Sequence, residues 1–378
     1  WAVVMANRHG GEFQGGSGDT SIENQAGSVV GSVSKALRGL VTLIGVASNT
    51  KTAQVVLDAL YRTQLTPCLI ECMRAFGDKL SARTVADVSH VLSELVLTSS
   101  RFMAKFVESG GLVVIDKLPH KIFYPASHSR QSLASSEGRA LDEALVCSLQ
   151  LASHLARHSD DNHELLENVL PPLKLAGILF YGGPITRAKA CNFVGNRCRH
   201  SAKFYSTLGT PLSLSQIPGG GPGSMGASGT SGMLPGLASV IVDCCSDSDP
   251  AIRKFACFAV GNAAFHNANL YSLLSPSIKA LRDALRDNDD KTRANAAGAL
   301  GNLARNGGTL ANTMAKEEVP YDLLHAIMAQ GPSSTTDAVS QFCAKSGNIS
   351  SKRTALFSLG TVAAYTSCRE VLLSSQNP

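Results

Sequence analysis

A helical segment that occurs twice constrains the fold of this chain more than any other feature. RKFACFAVGNAAFHN covers residues 253–267, and RANAAGALGNLARN covers residues 293–306. In both copies an Arg stands eight residues before a Gly, an Ala stands five residues before it, and an Asn follows it directly. Because self-similarity of this kind marks a structural unit used more than once, we expect a chain of stacked helical repeats.

A third copy extends the repeat toward the N-terminus. RAKACNFVGN, residues 187–196, has the same spacing of Arg, Ala, Gly and Asn. Ala-rich helices at a period of about 40–47 residues are typical of armadillo and HEAT proteins. We therefore predict an all-α fold, an armadillo/HEAT-like right-handed α-solenoid of about seven repeats over residues 28–378. With the Gly as marker, the equivalent positions are Gly45, Ser93, Ala152, Gly195, Gly261, Gly301 and Gly360.

The equivalent positions are unevenly spaced, and inserted loops explain this. Segments 119–139, 209–236 and 330–351 are rich in Gly, Ser or Pro and are predicted to be loops. Residues 1–27 contain GGEFQGGSGDTS and are predicted to be a linker or disordered. The alternative is that the long loops separate unrelated domains. The chain ends on CREVLLSSQNP, which resembles the start of a further helix, so we expect the solenoid to be cut from a longer protein.

The repeated helices carry start signals. Asp249 supplies an N-cap acceptor before Pro250, and Asp289 precedes the second copy. Ser350 and Ser351 precede the last copy in the same way. Within the first copy, small apolar residues recur at helical spacing and allow a neighbouring helix to approach closely. We expect the long helices of successive repeats to stack on one another.

Composition argues against several classes of partner. Hydrophobic residues make up 44% of the chain, which is enough for a continuous core, and the formal net charge is only +5 over 378 residues. This small charge gives no case for nucleic acid or a membrane as a partner. No uninterrupted apolar run approaches the roughly 18 residues of a membrane span. The ten cysteines lie mostly in helical segments, which is typical of reduced, buried thiols in a cytosolic protein.

No motif in the sequence indicates catalysis, a cofactor or a metal. The glycine-rich run 219–223 is not followed by the Lys and helix of a phosphate-binding loop, and the kinase HRD and DFG signatures do not occur. Cys68 and Cys72 share one helical face, but no complete set of four zinc ligands is evident. We therefore expect no catalytic residue, no cofactor, no metal ion and no small-molecule substrate for this chain.

The repeated Gly and Asn predict a partner-binding groove along the long helices. A Gly inside a helix costs roughly 1 kcal/mol relative to Ala, so its recurrence needs a reason. One reason is the close approach of a ligand backbone, and the following Asn would then offer a donor and an acceptor to a peptide bond. Alternatively, Gly allows tight helix packing and Asn bonds a neighbouring loop. The glycines are Gly195, Gly261 and Gly301, and the asparagines are Asn196, Asn262 and Asn302.

Basic residues accompany the predicted groove. The repeated Arg is assigned to the same partner-binding surface, at Arg187, Arg253 and Arg293. A further basic cluster in and after the third copy could meet an acidic partner, although solvent-exposed helices commonly carry such charges without binding anything. Its members are Arg187, Lys189, Arg197, Arg199, His200 and Lys203.

Two strings resemble the C-terminal armadillo region of Fused-type serine/threonine kinases, a plant member in particular. They are DPAIRKFACFAVGNAAFHN, residues 249–267, and DKTRANAAGALGNLARN, residues 290–306. RKFA followed by GNAA is more specific than a general armadillo pattern, although the strings cover under a fifth of the chain. The resemblance implies a parent protein with an N-terminal kinase domain, and no position in this chain matches that domain's catalytic residues.

The resemblance also implies a function. Repeats of this family would recruit kinesins or other microtubule-associated proteins, in phragmoplast expansion, cilium assembly or Hedgehog signalling. We therefore expect a non-catalytic interaction and regulatory region, in the cytoplasm and associated with the cytoskeleton at a phragmoplast or axoneme. The alternative is a structural scaffold component of a large assembly, for example an axonemal one, that binds folded partners by its outer surfaces and loops.

Overall fold

The computed structural model divides the chain into two compact units. The first is Trp1–Leu155 with Glu164–Leu170, and the second is Ala156–His163 with Pro171–Pro378. The unit boundary lies within the span predicted as one continuous solenoid. The residues that the structure describes are 19–46, 50–76, 79–115, 135–158, 161–213, 233–328 and 338–374.

All the regular secondary structure described in the first unit is helical. Val41 and Ile44 of its first helix are buried, and that helix packs on the fourth. The last two helices extend across the division between the units. In chain order the helices are α1 (Asp19–Val46), α2 (Lys51–Arg62), α3 (Leu65–Phe76), α4 (Ala82–Thr98), α5 (Ser100–Glu108), α6 (Ser136–His158) and α7 (Asn162–Val169).

A ring of four charged side chains joins α1, α4 and α6. Arg38 donates to Asp87 at 2.8 Å and forms an ion pair with Glu143. Arg83 donates to the same two carboxylates, at 2.5 Å to Asp87 and 2.8 Å to Glu143. Burial alone would raise the pKa of Glu143, but the hydrogen bonds from Arg83 and Arg38 outweigh burial and hold this pKa below its usual value. The ring therefore joins three helices through ionised groups.

In its described residues, the second unit consists of helices and one short pair of antiparallel strands, with Leu212 opposite Leu234. Its elements are α8 (Pro172–Tyr181), α9 (Pro184–Arg197), α10 (Tyr205–Gly209), β1 (Leu212–Ser213), β2 (Met233–Leu234), α11 (Leu237–Cys244), α12 (Pro250–Ala263), α13 (Tyr271–Leu274), α14 (Ser277–Ala284), α15 (Asp290–Arg305), α16 (Ala311–Lys316), α17 (Val319–Met328), α18 (Ala338–Val362) and α19 (Thr366–Ser374).

The second unit repeats one arrangement, in which two short helices precede a long one. Helices α13 and α14 precede α15 in this way, and α16 and α17 precede α18. The long helices α9, α12, α15 and α18 pack on one another in chain order. Small residues make this possible, because Ala256 and Ala259 on α12 and Ala296 and Ala299 on α15 are all buried. The prediction of an all-α repeat fold is confirmed.

The predicted N-caps of two long helices are present. Asp249 accepts hydrogen bonds from the backbone N–H groups of Ala251 and Ile252, at 2.8 and 3.1 Å. Asp289 accepts from the backbone N–H of Thr292 at 2.9 Å and from its hydroxyl at 2.8 Å. Each carboxylate thus satisfies N–H groups that the first turn of a helix leaves unpaired.

Three segments predicted to be irregular overlap helices. Helix α1 begins inside 1–27, where DTSIENQA offers capping residues and contains neither Gly nor Pro. Helix α6 begins inside 119–139, and α18 covers the end of 330–351, so the predicted helix start at Ser350 is wrong. The reason is that AVSQFCAKSGNIS contains no Pro and a single Gly, so α18 continues through it. Residues 1–18, 116–134, 214–232 and 329–337 lie outside the described residues.

Helix α1 contains a long apolar stretch that the sequence analysis did not count. Among the described residues, Gly27–Gly45 is one helical segment long and apolar enough to cross a membrane by length and composition, and 17% of the scored window is buried. Core helices of soluble proteins and signal sequences meet the same criterion. The segment also contains Arg38, which is ion-paired with Asp87. Because Lys35 and Arg38 interrupt it, this segment is not the uninterrupted apolar run that the sequence analysis excluded.

The cap of α15 gives a pH-dependent prediction. Burial alone would raise the pKa of Asp289, but hydrogen bonds from Thr292 and the nearby Lys254 and Lys291 outweigh it and lower this pKa. A carboxyl with a lowered folded-state pKa stabilises the fold above its unfolded pKa of about 3.9, and this stability is lost as the pH falls through the folded value. We expect Asp289→Ala to cost about 1 kcal/mol in urea unfolding at neutral pH and much less near pH 3.

The matched control for the cap is Asp289→Asn, which retains an acceptor oxygen for Thr292. This variant should lose only a small part of the free energy of unfolding at neutral pH, because Asn caps helices as well as Asp. An equal loss for Asp289→Ala at neutral and acid pH would contradict the role of the ionised cap.

Candidate functional site

The repeated glycines lie where successive long helices touch. A Cβ atom added to Gly195 would lie 2.5 Å from a ring carbon of Phe258, and one added to Gly301 would lie 2.5 Å from the hydroxyl oxygen of Ser358. A Cβ at Gly261 would meet the Cα of Ala299 at 3.4 Å. All three glycines are buried. Tight helix packing therefore accounts for them, and they face the next helix instead of a ligand.

Two of the repeated asparagines link successive long helices by the same hydrogen bond. The side-chain amide of Asn262 donates to the carbonyl oxygen of Gly195 at 2.9 Å, and that of Asn302 donates to the carbonyl oxygen of Gly261 at 2.9 Å. These carbonyls belong to the last turns of α9 and α12, where a helix leaves C=O groups without an intrahelical partner. Each Asn thus completes the end of the preceding long helix.

Each of these two amides retains hydrogen-bonding capacity toward solvent. An Asn side chain has two N–H donors and one carbonyl acceptor, and the bond to the preceding helix uses a single donor. Within the described residues, the Oδ1 atoms of Asn262 and Asn302 have no partner, and both side chains are partly exposed. Asn196 differs, because it is 7% exposed and donates to Asn192 at 3.2 Å. The ladder therefore stays a prediction with two rungs, Asn262 and Asn302.

The repeated arginines lie on the side of the long helices opposite the asparagines, and they form hydrogen bonds with other residues of this chain. Arg253 precedes Asn262 by nine residues, which at about 100° per residue places it half a turn away. It donates to Asp287 in the next repeat at 2.9 Å and to the carbonyl oxygens of Asp247 and Ser248, both at 2.9 Å. The assignment of this arginine to the groove is therefore corrected.

The other two arginines make similar contacts. Arg187 donates to the carbonyl oxygen of Leu179 at 2.8 Å and to Asp247 in the next repeat at 2.5 Å. Arg293 donates to the carbonyl oxygens of Asp287 and Asn288, at 2.8 and 3.0 Å. Arg187 thus joins α9 to α8 and to the turn before α12. Arg293 holds the turn before α15.

Two tyrosines that the sequence analysis missed hold the turn after each long helix. Tyr205 donates to the carbonyl oxygen of Asn262 at 2.5 Å and accepts from the backbone N–H of His266 at 3.3 Å. Tyr271 makes the same pair of bonds one repeat later, to Asn302 at 2.6 Å and from Asn306 at 3.3 Å. Tyr205 and Tyr271 lie 66 residues apart, the spacing of Gly195 and Gly261, and this shared spacing is the signal that could have revealed them.

The exposed face of the long helices forms a continuous set of positions, which we name the asparagine strip. On α12 it consists of Ala251, Phe255, Phe258 and Asn262, which fall within about 40° of the Asn at helical spacing, and it continues with Phe265 in the turn after the helix. Every strip residue except Asn196 is at least partly exposed. The corresponding residues are Ile185, Lys189, Asn192 and Asn196 on α9 with Arg199 just after it, Lys291, Asn295, Gly298, Asn302 and Arg305 on α15, and Ser350, Thr354, Phe357 and Thr361 on α18 with Ala364 just after it.

The strip combines aromatic rings with cations. The guanidinium of Arg305 lies over the ring of Phe265, 4.2 Å from its centroid. At the margin of the strip, the ammonium of Lys254 lies 5.6 Å from the ring of Phe255 and 3.8 Å from Asp289. Such contacts hold a charged side chain against the surface while leaving its polar edge available.

The predicted basic cluster divides into buried and exposed members. Arg197 is 1% exposed, lies 3.7 Å from the ring centroid of Phe204 and donates to the carbonyl oxygen of His163 at 2.9 Å. Arg187 is engaged by Asp247, as described above. Lys189 and Arg199 belong to the asparagine strip, and His200 and Lys203 are exposed beside it in sequence. The cluster therefore does not form one binding patch.

The cysteines do not form a metal site in the part of the chain that the structure describes. No group of three or more His, Cys, Asp or Glu side chains there could hold a metal ion. Cys191, Cys198 and Cys257 are buried, whereas Cys68 and Cys72 are half-buried. Burial raises the pKa of Cys198 to about 12, so this thiol is protonated at neutral pH.

Comparison with known proteins agrees with this geometry. A HEAT-like repeat model matches residues 250–303. Serine/threonine-protein kinase 36 of Mus musculus is 29% identical over 194 residues, which cover 48% of this chain and 13% of that protein. The chain is a distant homologue of the non-catalytic region of this kinase, also called Fused. The kinase of the same name from Pongo abelii is 36% identical over 101 residues, which cover 27% of this chain and 8% of that protein.

A solved structure with the same fold is a computationally designed armadillo repeat protein for modular peptide recognition. It matches this chain with a TM-score of 0.51 and 14% sequence identity, over 78% of this chain and 98% of the designed one. The predicted resemblance to Fused and the armadillo- and HEAT-like fold are both confirmed. The matches to kinase 36 span no more than 13% of that kinase.

The packing role of the glycines predicts opposite effects for two Gly→Ala variants. At Gly301 the new Cβ would overlap Ser358, so overpacking of about 1–3 kcal/mol should exceed the gain in helix propensity of about 1 kcal/mol. At Gly360 nothing lies within 4 Å, so the gain should appear alone. We expect urea unfolding to show that Gly301→Ala destabilises the protein and Gly360→Ala stabilises it. Stabilisation of equal size by both would rule out the tight contact.

Proposed function

We propose that this region is a non-catalytic protein-binding module that captures an extended segment of its partner along the asparagine strip. The observation that carries the proposal is the repeated amide. Asn262 and Asn302 occupy equivalent places, each is fixed by a bond to the preceding helix, and each retains an acceptor oxygen and an N–H. A donor and an acceptor on one rigid amide match the two groups of a peptide bond.

The spacing of the repeats suits an extended chain. Packed helices lie about 8–10 Å apart, and an extended peptide advances about 3.3 Å per residue. One repeat therefore corresponds to two or three residues of ligand, so side chains on one face of the ligand could meet successive helices. The designed armadillo protein for modular peptide recognition shares this fold and supports the same mode of binding here.

The homology to kinase 36 supports a more specific role. We propose that the region regulates or localises an attached Fused-like serine/threonine kinase, whose catalytic domain lies outside the matched repeats. In this proposal it docks a kinesin or another microtubule-associated protein, in cytokinesis or cilium assembly, at the cytoskeleton in the cytoplasm. The support is the match to one region of kinase 36 and the family resemblance of the strings at 249–267 and 290–306.

A second candidate function is a scaffold that binds folded partners. The observation that favours it is exposed apolar side chains outside the asparagine strip, where Leu356 on α18 is 59% exposed and Leu373 on α19 is 65% exposed. Exposed apolar patches of this kind often mark protein interfaces. A scaffold of this type would bind a folded surface and would not capture a short peptide.

A substitution at Gly298 separates the two functions. Its Cβ would lie 3.5 Å from a methyl group of Thr354, an ordinary contact, so Gly298→Ala and Gly298→Gln should both fold and gain up to about 1 kcal/mol of helix stability. Only the Gln side chain would project over the strip. In a selection of random peptides displayed on phage against the full chain, we expect Gly298→Ala to retain the captured peptides and Gly298→Gln to lose them.

Two other results of this selection would contradict groove binding. Peptides captured equally by Gly298→Gln and Gly298→Ala would lie elsewhere on the surface. A chain that captures no peptide, but binds folded proteins from its native cells, would favour the scaffold.

A further inference from the structure

We infer that the partner segment seated on the asparagine strip is acidic, an extended peptide carrying Asp or Glu side chains at intervals. This inference rests on the proposed function and names the chemistry of its ligand. It follows from the cations that lie on the strip and from the absence of carboxylates at the strip positions.

The strip carries four cations and no carboxylate. Lys189 lies on α9 and Arg199 lies two residues after its end, whereas Lys291 and Arg305 lie on α15. None of the strip positions is Asp or Glu. Within the described residues, none of these four cations forms an ion pair at 4.0 Å or less. A surface of one sign that is built on rigid helices favours a ligand segment of the opposite sign.

Two carboxylates beside Lys291 in sequence, Asp289 and Asp290, are already engaged by other groups. Asp289 accepts the cap hydrogen bonds from Thr292 and lies 3.8 Å from Lys254. Asp290 forms an ion pair with Arg293 at 2.9 Å. These carboxylates lie at the N-cap and in the first turn of α15, so they do not cover Arg305 in its last turn.

One cation is held in place before any ligand binds. Arg305 stacks on Phe265, with 4.2 Å from its guanidinium carbon to the ring centroid. Stacking restricts the side chain, so less conformational entropy is lost when a carboxylate binds its outer edge. The guanidinium can still donate two parallel hydrogen bonds to a carboxylate.

The loops between the described residues do not offer an acidic segment to the strip. The parts of the chain outside the described residues contain only isolated acidic residues, such as Glu12, Asp116 and Asp337, and 214–232 contains none. No internal loop can therefore supply a run of carboxylates to the strip. A peptide is also favoured over nucleic acid, because the Asn amides match a peptide bond and the net charge of +5 is small.

Three synthetic octapeptides test the inference on the full chain by fluorescence polarisation. They alternate Leu with Glu, with Gln or with Lys. At about 20 mM salt, we expect the Glu peptide to bind at least about tenfold more tightly than the Gln peptide, and the Lys peptide to bind most weakly. The preference should shrink at about 300 mM salt, because the contacts are exposed to solvent.

A charge-reversed pair of variants locates the effect. Lys291→Glu with Arg305→Glu should remove the preference for the Glu peptide. The matched control is Lys279→Glu with Lys316→Glu, which changes the net charge equally at exposed positions on α14 and at the end of α16. The control should bind the Glu peptide within about twofold of wild type.

Several outcomes would overturn the inference. If all three octapeptides bind equally and Gly298→Gln abolishes their binding, the strip is a peptide site without an acidic preference, and the proposed function stands. If no peptide binds in a manner sensitive to Gly298→Gln, both proposals fall. If single-stranded RNA binds as tightly as the Glu peptide and is lost in the same charge-reversed variant, the strip is a general polyanion site.

Discussion

The close approach of successive long helices is the contact on which the rest of the second unit depends. It is possible because the chain places Gly195, Gly261 and Gly301, which have no side chain of their own, where the next helix passes. The same closeness brings Asn262 and Asn302 within 2.9 Å of carbonyl oxygens on the preceding helix. Packing and hydrogen bonding therefore rest on one geometric condition, and a larger residue at a glycine would disturb both.

Polar contacts on the far side of the long helices keep the repeats in register. Arg187 and Arg253 each reach an aspartate one repeat further along, while Tyr205 and Tyr271 hold the turns that follow the long helices. Because these contacts recur in the same places, the asparagines recur at regular intervals on the exposed side. A regular row of rigid amides is what an extended peptide requires, so the function proposed for the strip is a consequence of repeat packing.

The sequence predicted the repeat and its period well, because Gly, Ala and Asn occur at fixed offsets within one helix. It left open what the glycines contact, since their neighbours, such as Phe258 and Ser358, lie one repeat away across insertions of different length. The arginines were misassigned for the same reason: Asp287, the partner of Arg253, lies 34 residues further along the chain. The exposed cations of the strip were only partly recognised, because Lys291 and Arg305 belong to no local basic cluster, and only the repeated stacking of the helices assigns them and Lys189 to equivalent positions.

A double-mutant cycle between Gly301 and Ser358 tests the central contact most directly. A Cβ at position 301 would meet the Oγ, Cβ and Cα atoms of Ser358, at 2.5, 2.9 and 3.1 Å, and Ser358→Gly removes the first two of these atoms. If the two helices touch here, Gly301→Ala should cost much less in the Ser358→Gly background, with a coupling free energy of about 1 kcal/mol or more in urea unfolding. Additive effects of the two substitutions would show that the helices do not meet at this point and would contradict the account.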